Sequence, residues 1–127
     1  MTARSLRSIP WLSTALLLLA LLAALPLWTG PGLVNTRGGG DSPFLFFRLQ
    51  QLVTNLHEGV FPARWMPDAA YGLGYPFFNY YAALPYYLGA IFNLIGFDLL
   101  VSIKLVQTLG CVFAAWAMYR WAGRTRC

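Results

Sequence analysis

The chain carries little charge of either sign. Lysine and arginine contribute nine residues and aspartate and glutamate four, so charged residues make up only 10% of the 127 positions. Soluble domains carry about 25% charged residues, which cover their hydrated surface. Because 58% of the residues are hydrophobic and many of them fall in long runs, the composition predicts a protein whose solvent is partly lipid.

Cysteine and histidine are also scarce. If Cys111 and Cys127 share one helix, they lie about 24 Å apart at 1.5 Å per residue, which excludes a disulfide between them. His57 is the single histidine, and without a second histidine or cysteine at zinc spacing we expect it to be solvated near a helix end.

The net charge of +5 favours anionic lipid headgroups or anionic substrates as partners. No cluster of Lys and Arg alternates with stacking aromatic residues, which argues against a nucleic-acid partner.

Three apolar blocks predict an all-α integral membrane protein with three transmembrane helices. The first block is long enough for a hydrocarbon core of about 30 Å, and Trp11 and Trp28 bracket it as interfacial aromatic residues do. A cleaved signal peptide is the alternative for this block, but no A-x-A-like cleavage site follows it. The predicted segments are an N-terminus at 1–8, spans at 9–28, 80–97 and 99–122, a loop at 29–79 and a truncated tail at 123–127.

The long loop contains an amphipathic helix over residues 43–58. Ser42 is a suitable N-cap, Pro43 suits the first turn, and Gly59 ends the helix. Leucines recur on one side at helical spacing while Arg48, Gln51 and other polar residues populate the other. This helix is too polar to cross a bilayer, so we expect it at the membrane surface or on neighbouring helices.

The positive charges of the chain support two opposite orientations in the membrane. Arg4 and Arg7 place the N-terminus in the cytoplasm under the positive-inside rule, so the long loop is extracytoplasmic and Lys104 reaches the nearer headgroups. The arginines of the whole chain favour the inverted arrangement, because most of them would otherwise lie outside. The first segment usually dominates, and we therefore prefer the cytoplasmic N-terminus.

Two motifs in the loop, "GVFPARWMPD" and "GLGYPFFNYY", follow an aspartate in "GGGDS" after the first apolar block. Together they resemble the start of polytopic bacterial membrane proteins of GT-C glycosyltransferase-like architecture, nearest to the family labelled "6-pyruvoyl-tetrahydropterin synthase-related", a label that does not imply pterin chemistry. The resemblance covers residues 9–124. It implies a bacterial inner-membrane protein with more helices, so that this chain is an N-terminal fragment that is inactive alone.

The resemblance also implies a chemistry. GT-C enzymes use polyprenyl-phosphate-linked sugars, and an acidic residue in their first external loop acts in catalysis or metal binding. Here that residue is Asp41, as a general base or as the ligand of a divalent cation. Ser42 follows it where some GT-C groups have a second acid. Arg64 or Arg37 would pair with phosphate, and Trp65, Asp68 and Tyr71 complete the substrate-binding candidates.

Each candidate also has a structural interpretation. Asp41 precedes a helix and favours the positive end of its dipole. Arg64 and Trp65 suit an interfacial anchor, Asp68 follows Pro67 as turn formers do, and Tyr71 suits an aromatic belt. Correspondingly, the alternative function is that of a small non-catalytic membrane protein that packs against larger membrane partners.

Overall fold

The computed structural model describes residues 10–33 and 41–124, and every regular element in those ranges is a helix. The all-helical prediction is confirmed for this part of the chain. The predictions for residues 1–8, for Arg37 and for the last three residues of the tail lie outside the described ranges. The elements are α1 (Pro10–Ala24), a 3₁₀ turn (Leu25–Leu27), α2 (Ser42–His57), α3 (Phe77–Tyr80), α4 (Leu84–Ile95) and α5 (Leu99–Arg124).

One described helix, α5, is long and apolar enough to cross a membrane. Its candidate span, Leu99–Ala122, matches the predicted third block, and only 17% of its most apolar window is buried. A core helix of a soluble protein would be mostly buried. The other apolar helical stretches, Ser13–Leu27 and Leu84–Ile95, are shorter, so three transmembrane helices are not confirmed.

The second predicted span is shortened at both ends. Tyr80 belongs to α3, and Pro85 lies in the first turn of α4. Proline suits a first turn because the missing N–H has no partner there. Gly96 ends α4 with a φ of 116°, a left-handed conformation that glycine adopts without a steric penalty. The resulting 12 residues extend about 18 Å.

Two compact units divide the chain, one formed by residues 1–31 and 107–127 and the other by residues 32–106. In the first unit, Ala20 and Ala24 of α1 are buried. The indole N–H of Trp28 donates a hydrogen bond of 3.0 Å to the hydroxyl of Thr108. This bond ties the segment after the 3₁₀ turn to α5.

The second unit is built on the contact between α2 and α4. Leu49 and Leu52 of α2 are almost fully buried, and the Leu49 side chain lies against Gly89 of α4. A Cβ at Gly89 would lie 3.1 Å from a Leu49 methyl carbon, so glycine permits the close approach. The core of this unit comprises Leu49, Leu52, Val53, Ala63, Met66, Phe77, Phe78, Ala90 and Ile103.

The polar side of α2 is covered as well. Gln51 and Asn55 are exposed to only 2% and 6% of their surface, and both hydrogen-bond to the segment that follows the helix. Burial of these amides costs little because their hydrogen bonds replace those made to water. The middle of α2 is therefore packed on two sides, which amphipathic spacing alone did not indicate.

Lys104 of α5, expected at the headgroups, is also buried, with 7% exposed.

Candidate functional site

A short hairpin follows α2 and shapes the candidate site. Met66 and Tyr75 exchange two backbone hydrogen bonds of 2.8 and 3.0 Å, which close a loop between them. Within this loop the amide of Gly74 donates to the carbonyl of Ala69 at 2.9 Å. We call residues 66–75 the hairpin loop.

Side chains of α2 hold the hairpin loop in place. The Gln51 amide group donates to Asp68 Oδ2 at 2.7 Å, and the Asp68 backbone N–H donates to Gln51 Oε1 at 3.0 Å. One turn later, Asn55 Nδ2 donates to the carbonyl of Trp65 at 2.7 Å. The two hydrogen bonds between Gln51 and Asp68, together with the bond from Asn55 to Trp65, fix the position of the loop along the helix.

Between α2, the hairpin loop and α3 lies an open groove with a volume of about 320 Å³. This volume falls in the range of small-molecule sites, which run from about 300 to 1,000 Å³. We call it the Arg48 groove. Its lining includes Phe44, Phe47, Arg48, Asp68, Tyr75 and Phe77.

Arg48 is the cation of this groove and is held by aromatic rings. Its guanidinium carbon lies 4.4 Å from the ring centroid of Phe77 and 5.7 Å from that of Phe44. Its Nη1 donates to the hydroxyl of Tyr86 at 3.4 Å. Such cation–π contacts contribute about 0.5–2 kcal/mol each and orient the planar group.

No carboxylate among the described residues forms an ion pair with Arg48. The bond to Tyr86 is the one hydrogen bond that its guanidinium makes within those residues. A guanidinium has five N–H donors. Because the side chain is half-buried, its charge is also less screened than that of a surface arginine. The remaining donors can take an anion with paired oxygens, a phosphate or a carboxylate.

The residues singled out from the sequence fall in different places. Asp68 lines the Arg48 groove, whereas Arg64, Trp65 and Tyr71 are not among its lining residues. Arg64 is exposed, the Trp65 ring lies over Gly74, and Tyr71 is wholly exposed at the end of the hairpin loop. Of the four substrate-binding candidates, one therefore lies at the groove.

Asp41 is exposed and is itself the N-cap residue of α2, a position predicted for Ser42. Its carbonyl accepts the Leu45 N–H at 2.9 Å, but its carboxylate makes no capping bond. Arg48 follows seven residues later on the same side of the helix, about 10 Å along its axis. Across the described ranges, no three acidic, histidine or cysteine side chains come together as a metal site.

Arg48 was overlooked because it was assigned to a polar helix face. The signal was its register: Asp41, Phe44, Arg48, Gln51 and Asn55 follow one another at alternating spacings of about three and four residues, which places them on one stripe of a helix. The two amides of this stripe bond to the segment that follows the helix. The carboxylate, the aromatic ring and the guanidinium of the same stripe are suited to bind a ligand.

Comparison of the chain with protein-family models, with curated proteins and with solved structures found no match. The chemistry of the groove and the motif resemblance are therefore the features that indicate a function.

Proposed function

We propose that this chain is the N-terminal portion of a multi-pass membrane transferase that resembles the GT-C class and takes its sugar from a polyprenyl-phosphate donor. The Arg48 groove is the observation that supports this function. It combines a cation with unused donors, aromatic rings and the carboxylate of Asp68. A glycosyl phosphate offers the complementary parts: an anion, a ring and hydroxyl groups.

Arg48 is the phosphate-binding residue of the proposal. The guanidinium is planar and always charged, so it can bind two phosphate oxygens at once. The contact with the Phe77 ring positions the guanidinium before the ligand arrives, which reduces the entropy lost on binding. Phe44 and Tyr75, both partly exposed in the lining, offer ring faces to the sugar.

Two carboxylates have different roles. In transfer, the acceptor hydroxyl oxygen bonds to the anomeric carbon, the bond from that carbon to the phosphate oxygen breaks, and polyprenyl phosphate leaves with the electron pair. We assign the hydroxyl proton to Asp41, whose exposed carboxylate makes no capping bond. Asp68 accepts a bond from Gln51 through one oxygen and has a second oxygen to accept a sugar hydroxyl.

In the alternative role that the resemblance implies, Asp41 is a ligand for a divalent cation. Magnesium is commonly held by one or two carboxylates together with substrate phosphates, and a single exposed aspartate is compatible with that ligand set. The proposed fragment is inactive alone, since the remaining membrane helices of the parent would complete the site.

Binding of polyprenyl phosphate to the reconstituted chain tests the groove. We expect the wild type to bind it more tightly than the uncharged polyprenol, and Arg48→Gln to weaken phosphate binding by about tenfold or more, as loss of a charged hydrogen bond does. Arg48→Lys keeps the charge but not the planar fork, so we expect an intermediate affinity. Equal binding of phosphate and alcohol, or an unchanged affinity of Arg48→Gln, would refute the assignment.

Turnover in the longer parent protein tests the role of Asp41. Asp41→Asn should abolish sugar transfer without reducing membrane insertion, because the amide cannot accept the proton. Asp68→Asn is the comparison: it retains an oxygen for the Gln51 bond but loses the acceptor for a sugar hydroxyl, so it should lower activity by about tenfold, the contribution of one hydrogen bond, rather than abolish it. Full activity of the Asp41 variant would remove this residue from the mechanism.

A second candidate function is that of a small non-catalytic membrane protein that packs against larger partners. It is favoured by exposed apolar side chains in the last turns of α5, where Phe113, Trp116, Met118 and Trp121 are each at least half exposed. The DNA beyond codon 127 discriminates the two. Further apolar segments there favour the transferase fragment, and a stop codon followed by an unrelated gene favours the small protein.

A further inference from the structure

The end of the hairpin loop exposes large apolar side chains. Tyr71 is exposed to 106% of its reference surface and Leu73 to 83%. Neither side chain contributes to the core or to the Arg48 groove. We call residues 70–73 the loop tip.

The backbone of the loop tip is held in an unfavourable conformation. Ala70, Tyr71 and Gly72 have consecutive φ angles of 52°, 59° and 84°. The left-handed region costs a residue other than glycine about 1–2 kcal/mol, so Ala70 and Tyr71 are both strained. The Tyr71 side chain recovers none of this cost by packing, because it is wholly exposed.

The surrounding structure fixes this shape. The backbone bonds between Met66 and Tyr75 close the loop, and the Trp65 ring covers Gly74 at its base. Strain that a scaffold maintains at an exposed position is typical of a functional contact. The contact would be made by Tyr71 and Leu73, the side chains that the strained turn projects.

The side chains around the loop tip suit a lipid interface. Trp65 and Phe61 are also substantially exposed, at 49% and 76%, and tryptophan and tyrosine concentrate where a bilayer meets water. Arg64 is exposed and forms no ion pair among the described residues. Asp68, the acid of this segment, is hydrogen-bonded to Gln51. The loop tip itself carries no acidic side chain, so the exposed cation Arg64 is the group of this segment that can bind an anionic headgroup.

We propose that the loop tip inserts Tyr71 and Leu73 into the headgroup layer of an anionic bilayer, with Arg64 binding lipid phosphates. This anchor would hold the hairpin loop, and with it one wall of the Arg48 groove, at the level of the headgroups. The inference depends on the membrane location in the proposed function but not on sugar transfer.

Lipid quenching at single labelled sites tests the anchor. In the chain with Cys111→Ala and Cys127→Ala, a cysteine at Tyr71 or Leu73 carries an environment-sensitive fluorophore. The protein is placed in bilayers of phosphatidylcholine and phosphatidylglycerol with spin-labelled lipid, and Glu58→Cys, an exposed site at the end of α2, is the control. We expect roughly threefold more lipid quenching at the tip than at Glu58, as for interfacial residues.

The contribution of charge is tested in the same samples. Arg64→Gln should lower quenching at the tip in bilayers with phosphatidylglycerol and have little effect in pure phosphatidylcholine. Lipid quenching at the tip no greater than at Glu58 would overturn the proposal. A label at the tip that is protected from the water-soluble quencher iodide, but is not quenched by spin-labelled lipid, would also overturn it, because that result would indicate a protein partner.

Arg48→Gln separates this proposal from the proposed function. That variant should lose phosphate binding and keep the quenching signal at Tyr71. Weak quenching at the tip, together with phosphate binding that Arg48→Gln abolishes, would reject the lipid anchor alone. Strong quenching at the tip, together with phosphate binding that Arg48→Gln leaves unchanged, would reject the groove alone.

Discussion

Gln51 and Asp68 form two hydrogen bonds, one through the nitrogen and one through the oxygen of the Gln51 side-chain amide. The Gln51 Nε2 donates to Asp68 Oδ2 at 2.7 Å while Gln51 Oε1 accepts the Asp68 backbone N–H at 3.0 Å. Gln51 is 2% exposed whereas Asp68 is exposed, so these bonds are partly buried. They connect a helix that packs on α4 with the loop that forms a wall of the groove, so the groove depends on this pair.

Loss of this pair should release the hairpin loop. Gln51→Ala leaves the Asp68 N–H without its acceptor, and we expect the free energy of unfolding to fall by about 1–3 kcal/mol. Denaturation in detergent micelles, followed by tryptophan fluorescence, measures the change. Asp68→Asn keeps an acceptor oxygen and should lose much less stability than Asp68→Ala. Equal losses for the two Asp68 variants would show that the side-chain bond does not hold the loop.

Two glycines of the hairpin loop form a matched pair. Gly72 and Gly74 have φ angles of 84° and 80°, but a Cβ at Gly72 would meet open space whereas one at Gly74 would overlap the Trp65 indole. Gly72→Ala should cost about 1–2 kcal/mol through backbone strain alone. Gly74→Ala should cost more and should shift the tryptophan emission, because the ring must move.

The comparison between the two glycine variants is made by thermal unfolding and by emission spectra in the same detergent. Identical stabilities and spectra would mean that the Trp65 ring does not lie on Gly74 in solution. A red shift confined to Gly74→Ala would confirm the contact.

Helical glycines give a second matched comparison. A Cβ at Gly89 would lie 3.1 Å from Leu49, whereas one at Gly110 of α5 would meet nothing. Gly110→Ala should stabilise the protein by about 0.5–1 kcal/mol through helix propensity. Gly89→Ala should gain less, and Gly89→Leu should destabilise by about 1–3 kcal/mol through overpacking against α2. Chemical denaturation in micelles measures all three, and a stabilising Gly89→Leu would contradict the observed packing.

Orientation is tested by labelling one exposed site in the second unit. With a cytoplasmic N-terminus, a cysteine at Glu58 in the variant lacking Cys111 and Cys127 should react with a membrane-impermeant maleimide added to intact spheroplasts. Protection of Glu58→Cys until the membrane is opened would instead support the inverted arrangement.

Helix positions were largely predictable from the sequence. The predicted amphipathic helix at 43–58 and the third span at 99–122 correspond closely to α2 and α5, because capping residues and continuous apolar runs are local signals. The second span was overestimated. Its apolar content predicts a helix from Tyr80 to Phe97, whereas α4 begins at Leu84. The reason is that Pro85 favours the first turn of a helix over its interior.

The groove was less predictable because it depends on tertiary contacts. A polar residue such as Gln51 has the same periodicity whether it faces water or a buried loop. The polar stripe therefore does not show that the hairpin loop returns onto α2, and it places Arg48 only on the polar side of the helix. Conversely, Arg64, Trp65 and Tyr71 were selected from a motif, and the structure places them outside the groove lining. Their substrate roles remain predictions.

Photolabelling locates the phosphate of a bound donor most directly. A polyprenyl phosphate with a photoreactive diazirine on its first isoprene unit is bound to the reconstituted chain and irradiated, and the labelled peptides are sequenced. We predict labelling centred on Phe44 and Tyr75, competed by unlabelled polyprenyl phosphate and lost in Arg48→Gln. Labelling spread along α5 alone, and equal in wild type and Arg48→Gln, would contradict the central claim that the Arg48 groove binds the phosphate.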